Sequence, residues 1–396
     1  MNISGEPLLP PWALLSALVP PYRHPADALP QRDYAERDWR DRVSLFRLGR
    51  DALAAGVATL PAGPVLAPAF ICREALDGLA ASGRQVALYR LAPELEPDWA
   101  HLGTLADNAA GVRPAALLLV HYFGIPADVR RAAAWCRERG VALIEDCAHS
   151  FLSRVAGRPV GTFGDMAVFS FRKQLPVDSG AALLMNAPRK AAPGRRGGIG
   201  MWAALRESAA WCVFASGSAR LRRSLAAALL DEHPAPAAAP GNARSMDLAT
   251  RRVIARLAPR FSHIAARRRE NYAALAGRLQ NPGAAVMVPS LPDGAAPWGL
   301  PLKMRNASDA TALEAVLLSE GIGAWRWPDL PPEVTSETFP FEHGLAQQTV
   351  LLPVHQGLSQ RHMEFIADTV TAWGLVGGIL VGGIEEAAAE DAAHPR

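Results

Sequence analysis

The stretch from Val141 to Asn186 constrains this chain more than any other part of it. It holds two short apolar runs, Val141–Ile144 and Ala167–Phe171, of the length expected for buried strands. The first runs into Glu145-Asp146 and the second into Arg172-Lys173. Ligands of α/β sheets gather beyond the carboxyl ends of strands, which is where these charges would sit. Lysine is scarce here: Lys173, Lys190 and Lys303 are the only three among 41 lysines and arginines. Arginine serves for surface charge but does not form an imine, whereas a desolvated lysine can lose its proton and attack an aldehyde. Lys190 lies in a Pro/Gly/Arg-rich loop and reads as solvated, and Lys303 falls late in the chain. A strand-end carboxylate and a strand-end lysine are what a pyridoxal phosphate site needs. The acid keeps the pyridine nitrogen protonated so that the ring accepts electrons, and the lysine carries the aldehyde. The plainer readings are a turn-capping Asp146 and a solvated loop lysine.

Around this block, strand-like runs at Val65–Pro68, Val86–Tyr89, Ala115–His121 and Ala181–Met185 alternate with helix-like segments such as Glu74–Ala81 and Pro126–Arg139. That alternation predicts an α/β fold with a mostly parallel sheet between helices. Met201–Leu230 reads as an alanine-rich helical region, and Ala249–Leu279 as one long helix leading to a smaller α+β domain. That domain mixes the strands Trp298–Met304 and Gly323–Trp327 with the helices Asp309–Glu320 and Gln360–Trp373. The expected organisation is a large domain over 1–248, a linking helix and small domain over 249–384, and an acidic tail over 385–396.

A net charge of +3 on 396 residues gives no reason to expect nucleic acid. The four cysteines (Cys72, Cys136, Cys147, Cys212) show neither metal spacing nor a disulfide framework, so a reducing cytoplasm is the simplest home. Pro7–Val19 lacks the basic flank of a signal peptide, and Gly374–Ile384 is too short to span a bilayer.

The motifs, taken in order, resemble the DegT/DnrJ/EryC1/StrS sugar aminotransferases, which are fold-type I pyridoxal phosphate enzymes. Glu145-Asp146-Cys147-Ala148-His149 resembles the family's E-D-x-A-[HQ], and Gly157 to Asp165 its G-x-x-x-G-x-x-G-D. Phe169-Ser170-Phe171 followed by Lys173 resembles its F-S-F and lysine. Upstream, Leu119–Gly124, Val65–Phe70 and Leu48–Leu53 fall where the family has V-H-x-x-G, V-x-x-P-x-F and G-T-x-A-L. Leu351–His355 with Leu358-Ser359 resembles its L-P-x-H-x-x-L-S ending. The chain departs from the pattern in four places. The loop between Phe171 and Gly180 is about two residues short, so Lys173 aligns only across a gap. The usual Gly-Gly is Gly180-Ala181, and the phosphate-binding positions become Gly49-Arg50-Asp51. The aromatic expected to stack on the cofactor falls at Ile71 or Cys72.

The resemblance implies a pyridoxal phosphate-dependent aminotransferase. Lys173 and Asp146 would be catalytic, and an amino group would pass from an amino acid such as glutamate to a keto group on a nucleotide-linked sugar. His149 would bond the cofactor's phenolic oxygen or serve as a structural histidine. Ser170 would hold phosphate or bond to backbone. Gly49 and Arg50 would open a helix toward that phosphate, with Asp51 facing away. Asn242-Ala243-Arg244 resembles the family's N-x-R loop, which reaches a neighbouring subunit's site in a homodimer, and the match is short enough to be coincidence. Arg172 would contact substrate phosphate or only solvent. Three alternatives stand beside this reading: a different pyridoxal phosphate outcome such as dehydration, a non-catalytic homologue used as a binding scaffold, and a peripheral membrane protein.

Overall fold

The computed structural model describes residues 3–11, 42–107, 113–186, 194–195, 197–215, 238–239, 241–279 and 285–377. Lys190, the expected tail and the second half of the alanine-rich region lie outside them.

Seven strands form the main sheet: β1 (Val43–Phe46), β2 (Val65–Pro68), β3 (Val86–Tyr89), β4 (Ala116–Val120), β5 (Ala142–Asp146), β6 (Met166–Ser170) and β7 (Ala181–Met185). Their order is β1-β7-β6-β5-β4-β2-β3. From β3 to β6 every neighbouring pair is parallel, and β7 alone is reversed, pairing antiparallel with β6 and β1. β4, β6 and β7 are buried along their whole length, as expected of strands covered on both faces. β1, which the apolar pattern does not single out, closes the sheet by pairing Phe46 with Ala181.

The helices around this sheet are α1 (Gly49–Val57), α2 (Arg73–Ala81), α3 (Trp99–Asp107), α4 (Val129–Arg139) and α5 (Met201–Ala215). The ends of α4 show how local chemistry sets a boundary. Asp128 accepts from the Arg131 N–H at 3.1 Å and starts the helix. Gly140, left-handed at φ 58°, stops it, with Arg137 and Arg139 on its negative end. The expected single helix over Ala249–Leu279 is two: α6 (Leu248–Leu257) and α7 (Phe261–Arg278), separated by a 3-10 turn at Ala258–Arg260. Pro259 has no N–H to continue the ladder, which accounts for the break.

The second sheet is antiparallel, in the order β8-β9-β11-β10, from β8 (Ala285–Val286), β9 (Gly299–Lys303), β10 (Trp325–Arg326) and β11 (Thr349–Pro353). It packs with α8 (Ala307–Ser319), α9 (Pro340–Gln348) and α10 (Gln360–Gly377). Its core joins Leu300, Leu302, Leu313, Val350, Leu352 and Ile366 to Tyr272 and Leu275 of α7. Ile3 belongs to this core as well, because it adds a parallel bridge to Ile322. No helix among the described residues is long and apolar enough to cross a membrane.

The two sheets meet at a close backbone crossing. The Trp298 N–H donates to the Phe123 carbonyl at 2.7 Å. Gly124 has φ 87°, and a Cβ there would lie 2.2 Å from the Ala296 carbonyl oxygen. Gly124→Ala is expected to lower unfolding free energy by roughly 2 kcal/mol or more, from left-handed strain plus backbone overlap. Urea denaturation of the two proteins measures it.

Candidate active site

At the carboxyl ends of β5 and β6 an inner cavity of about 90 Å³ is lined by Gly49, Arg50, Cys72, Asp146, Ala148, Ser170, Arg172 and Lys173, among others. It adjoins an outer cleft of about 660 Å³, whose walls include Glu6, Arg73, Trp298, Trp325 and Pro328. Cys72, Glu74, Arg172 and Lys173 line both. The strand-end acid and lysine therefore do share one cavity, despite the short loop between Phe171 and Gly180.

The floor is built by the motif residues that carry no chemistry of their own. Glu145 is fully buried, and its carboxylate accepts from the backbone N–H groups of Gly161, Phe163 and Gly164 at 2.6–2.7 Å and from His121 Nε2 at 3.3 Å. His121 Nδ1 in turn accepts from the Ala127 N–H at 3.0 Å, which leaves its proton on Nε2 for Glu145. This brace anchors the glycine-rich loop to the end of β5. His121, Glu145 and Cys147 place ligand-type atoms within 4.8 Å of one another, yet Glu145 is already engaged on both oxygens.

Asp146, next in the chain, accepts from the Ala148 N–H at 2.9 Å through Oδ1. No protein donor among the described residues reaches its other oxygen. Burial pushes its carboxyl above the ordinary range, with the Ala148 N–H, Lys173 and His121 opposing. A carboxylate short of compensation is stabilised when a cation is placed against it.

Lys173 Nζ lies 2.7 Å from His149 Nε2 and 4.4 Å from the centre of the Trp298 ring. The Phe123 N–H donates to His149 Nδ1 at 3.3 Å, so the imidazole proton belongs on Nε2, which then donates to a neutral lysine amine. Burial lowers the pKa of Lys173, and it drives that of His149 well below its ordinary value. The indole face beside Nζ favours the protonated amine instead. Each protonation state of Lys173 thus has its own contact, as a proton carrier requires. His149 is itself stacked on Trp298 at 4.3 Å.

The N-terminus of α1 opens on the same cavity, with Leu48 at its cap position and no side chain satisfying its first N–H groups. A Cβ on Gly49 would meet nothing within 4 Å, so there is room at that end. Ser170 also lines the cavity, and its hydroxyl has no hydrogen-bond partner among the described residues. Uncapped helix N–H groups beside a free hydroxyl make a seat for phosphate. Arg50 is in the wall, but one nitrogen of its guanidinium lies 3.4 Å from Glu74 Oε1, and the ion pair ties α1 to α2. Asp51 faces away, accepting from the Ala238 N–H at 3.0 Å. Asn242 lies on an exposed turn, its N–H bonded to the Ala239 carbonyl, and does not reach the cavity of its own chain.

No aromatic occupies the Ile71–Cys72 position: Ile71 is buried in the core and Cys72 stands at the N-cap position of α2, at the cavity wall. The aromatic surface comes instead from the small domain, as Trp298 and Trp325. Sequence reasoning also missed Arg268. This α7 residue is fully buried and holds the Gln356 side chain through Nε, the Pro297 and Trp298 carbonyls through Nη1, and the Gln174 and Lys173 carbonyls through Nη2, at 2.8–3.5 Å. Burial pushes it down to about 9, so it remains a cation at neutral pH. Nothing separates it in the sequence from its neighbours in an arginine-rich helix.

This architecture, a mostly parallel seven-stranded sheet with the acid and lysine at its carboxyl edge and a small α+β domain over them, is that of the fold-type I pyridoxal phosphate-dependent transferases. The sequence profile of the DegT/DnrJ/EryC1/StrS aminotransferase family matches residues 104–371, and the chain belongs to that family. It is 38% identical over 137 residues to dTDP-4-dehydro-2,3,6-trideoxy-D-glucose 4-aminotransferase of Saccharopolyspora spinosa, a match covering 33% of this chain and 34% of that protein. It is 37% identical over 73 residues to GDP-perosamine synthase of Escherichia coli O157:H7, covering 18% and 20%. These matches span about a third or less of the curated relatives' own length. The fold resembles that of the aminotransferase TlmJ from Streptoalloteichus hindustanus (TM-score 0.65, 24% identity, 94% of this chain and 93% of that one). It also resembles Helicobacter pylori PseC (TM-score 0.68, 15% identity, 94% and 99%).

Two outcomes follow. Because the pKa of Lys173 is lower folded than the unfolded value of about 10.4, the folded state carries a penalty that is full below the folded pKa and vanishes as pH rises to the unfolded value. Lys173→Met is expected to raise the melting temperature at pH 7, with the gain shrinking as pH rises toward 10.4; thermal denaturation across pH checks it. Arg268→Gln leaves buried carbonyls without donors and is expected to cost roughly 3 kcal/mol or more in urea denaturation.

Proposed function

We propose that the chain is a pyridoxal phosphate-dependent aminotransferase acting on a keto group of a nucleotide-linked sugar. One observation carries the reading. A lysine whose pKa is lowered by desolvation shares a cavity with a desolvated carboxylate that has a single backbone donor and with an uncapped helix N-terminus. These residues fit the cofactor: Lys173 for its aldehyde, Asp146 for its pyridine nitrogen, and the α1 N-terminus with Ser170 for its phosphate. When bound, pyridoxal phosphate supplies an electron sink that makes the hydrogen on the donor's amine-bearing carbon removable.

The chain's own residues do the rest. Lys173, which would hold the cofactor's aldehyde, carries the amine that would serve as base and acid, moving the proton from one carbon to another. His149 holds that amine through Nε2 when it is neutral, and the Trp298 face supports it when charged. Asp146 would stand against the ring nitrogen, whose proton would offset the cost of burying its carboxylate. Cys72 cannot stack on a ring, so lateral support is left to the walls around it.

The outer cleft, at about 660 Å³ with indole and arginine walls, suits an acceptor carrying both a nucleotide and a sugar. The relatives' names, among them a dTDP-sugar 4-aminotransferase and a GDP-perosamine synthase, support a nucleotide-linked acceptor. A homodimer, in which Asn242 of one copy would approach the other's cavity, and a cytoplasmic location complete the reading.

Adding pyridoxal phosphate to the purified protein should produce a visible absorbance band, and borohydride should fix the cofactor to a peptide containing Lys173. Lys173→Ala should show neither. A band equally strong in Lys173→Ala, or none in the wild type, would leave the fold as a binding scaffold and remove the catalytic assignment.

A further inference from the structure

The chain enters the structure as a strap across both domains. The Ile3 N–H donates to the Gly321 carbonyl, and the Ile3 carbonyl accepts from the Gly323 N–H, both at 2.8 Å. His355 Nε2 bonds the Ser4 carbonyl at 3.0 Å. Gly5 lies flush on Trp325: a Cβ there would be 2.5 Å from the indole Cζ3. Four residues on, Leu9 is buried in the large domain's core with Leu175, Ala249 and Val253. Between these anchors the strap carries Glu6 into the outer cleft, where Oε2 sits 3.3 Å from Arg172 Nη1.

Arg172 precedes Lys173 and lines both the inner cavity and the outer cleft. The other cleft arginines, Arg73 and Arg326, line only the outer part. Arg326 is also occupied by Thr311 and Gln347. The remaining cleft carboxylates are Glu74, Asp77 and Asp329, and among the described residues the ion pair of Arg172 is with Glu6 alone. The Arg172 and Glu6 side chains are 44% and 33% exposed, so the pair is a weak, solvent-screened one. A guanidinium beside the reacting lysine, covered by a carboxylate on a tether, is the arrangement expected of a carboxylate-binding site with an internal occupant.

Building on the aminotransferase reading, we propose that Arg172 binds a carboxylate of the amino-acid donor and that Glu6 occupies this position until the donor displaces it. Glu6 thereby sets how much donor is needed. Its loss and the loss of Arg172 act in opposite directions, which a purely structural ion pair would not do.

The test uses the full-length protein loaded with pyridoxal phosphate. Glutarate, a dicarboxylate with the spacing of glutamate and no amine, is titrated by calorimetry, and donor KM and kcat are measured in the half-reaction with glutamate. Arg172→Gln should weaken glutarate binding and raise donor KM at least tenfold, with kcat changed less than threefold, and Arg172→Lys should recover part of the loss. Glu6→Gln, isosteric and still anchored by Ile3 and Leu9, should tighten glutarate and lower donor KM about threefold or more. No glutarate binding to the wild type, unchanged binding in Arg172→Gln, or weaker or unchanged binding in Glu6→Gln overturns the assignment. If no donor supports a half-reaction, the proposed function fails, and the glutarate titration still decides the carboxylate site.

Discussion

The arrangement of the cleft depends on one buried cation. Arg268 reaches from α7 to the carbonyls of Lys173 and Gln174, the carbonyls of Pro297 and Trp298, and the side chain of Gln356. A guanidinium has five N–H donors and no acceptor, so in a dry interior it must gather oxygen atoms around itself. Here those oxygens come from the lysine loop of one domain and from the strand entry and C-terminal motif of the other. The same charge therefore fixes where the lysine loop stands and where Trp298 stands relative to it. The shortened loop after Phe171 is tolerated because it is pinned from outside by Arg268, and by Gln174, whose side chain bonds the Ala296 carbonyl at 2.7 Å and the Leu152 N–H at 3.1 Å.

Within that frame the site is electrostatically incomplete in a directed way. Asp146 is desolvated without full compensation, Lys173 is desolvated toward its neutral form, and the first N–H groups of α1 have no cap. Each would be a defect in an ordinary core. Together they favour a cation at Asp146 and an anion at the N-terminus of α1, on either side of a lysine whose pKa is lowered. Glu145, one residue away, is the contrast. Its carboxylate is saturated by three backbone N–H groups and His121, and it acts as a strut.

Much of this was legible in the linear chain. The alternation of apolar runs with helical segments located β2, β3 and β7 residue for residue: β2 and β7 are buried throughout and so apolar throughout, and the edge strand β3 is apolar though only partly buried. The rare lysine and the strand-end acid chosen from the sequence line one cavity together with Ser170 and Gly49. The expected long linking helix is two helices because the apolar, arginine-rich pattern runs on across Pro259 while the backbone ladder cannot. Arg50, expected near the phosphate, lines the cavity and also pairs with Glu74, a contact that rests on how closely α1 and α2 pack, with Gly78 lying against the backbone of Arg50.

The sequence by itself determined the α/β class, the sheet's buried strands and which reactive residue types end them, because period, apolarity and residue type are local properties. Only the tertiary structure decided that Trp298 from the small domain backs Lys173, that Arg268 holds the lysine loop, and that Glu6 meets Arg172. Those contacts join residues separated by 125, 95 and 166 positions. They arise from the packing of two domains and a strap, and no local pattern along the chain encodes such a packing.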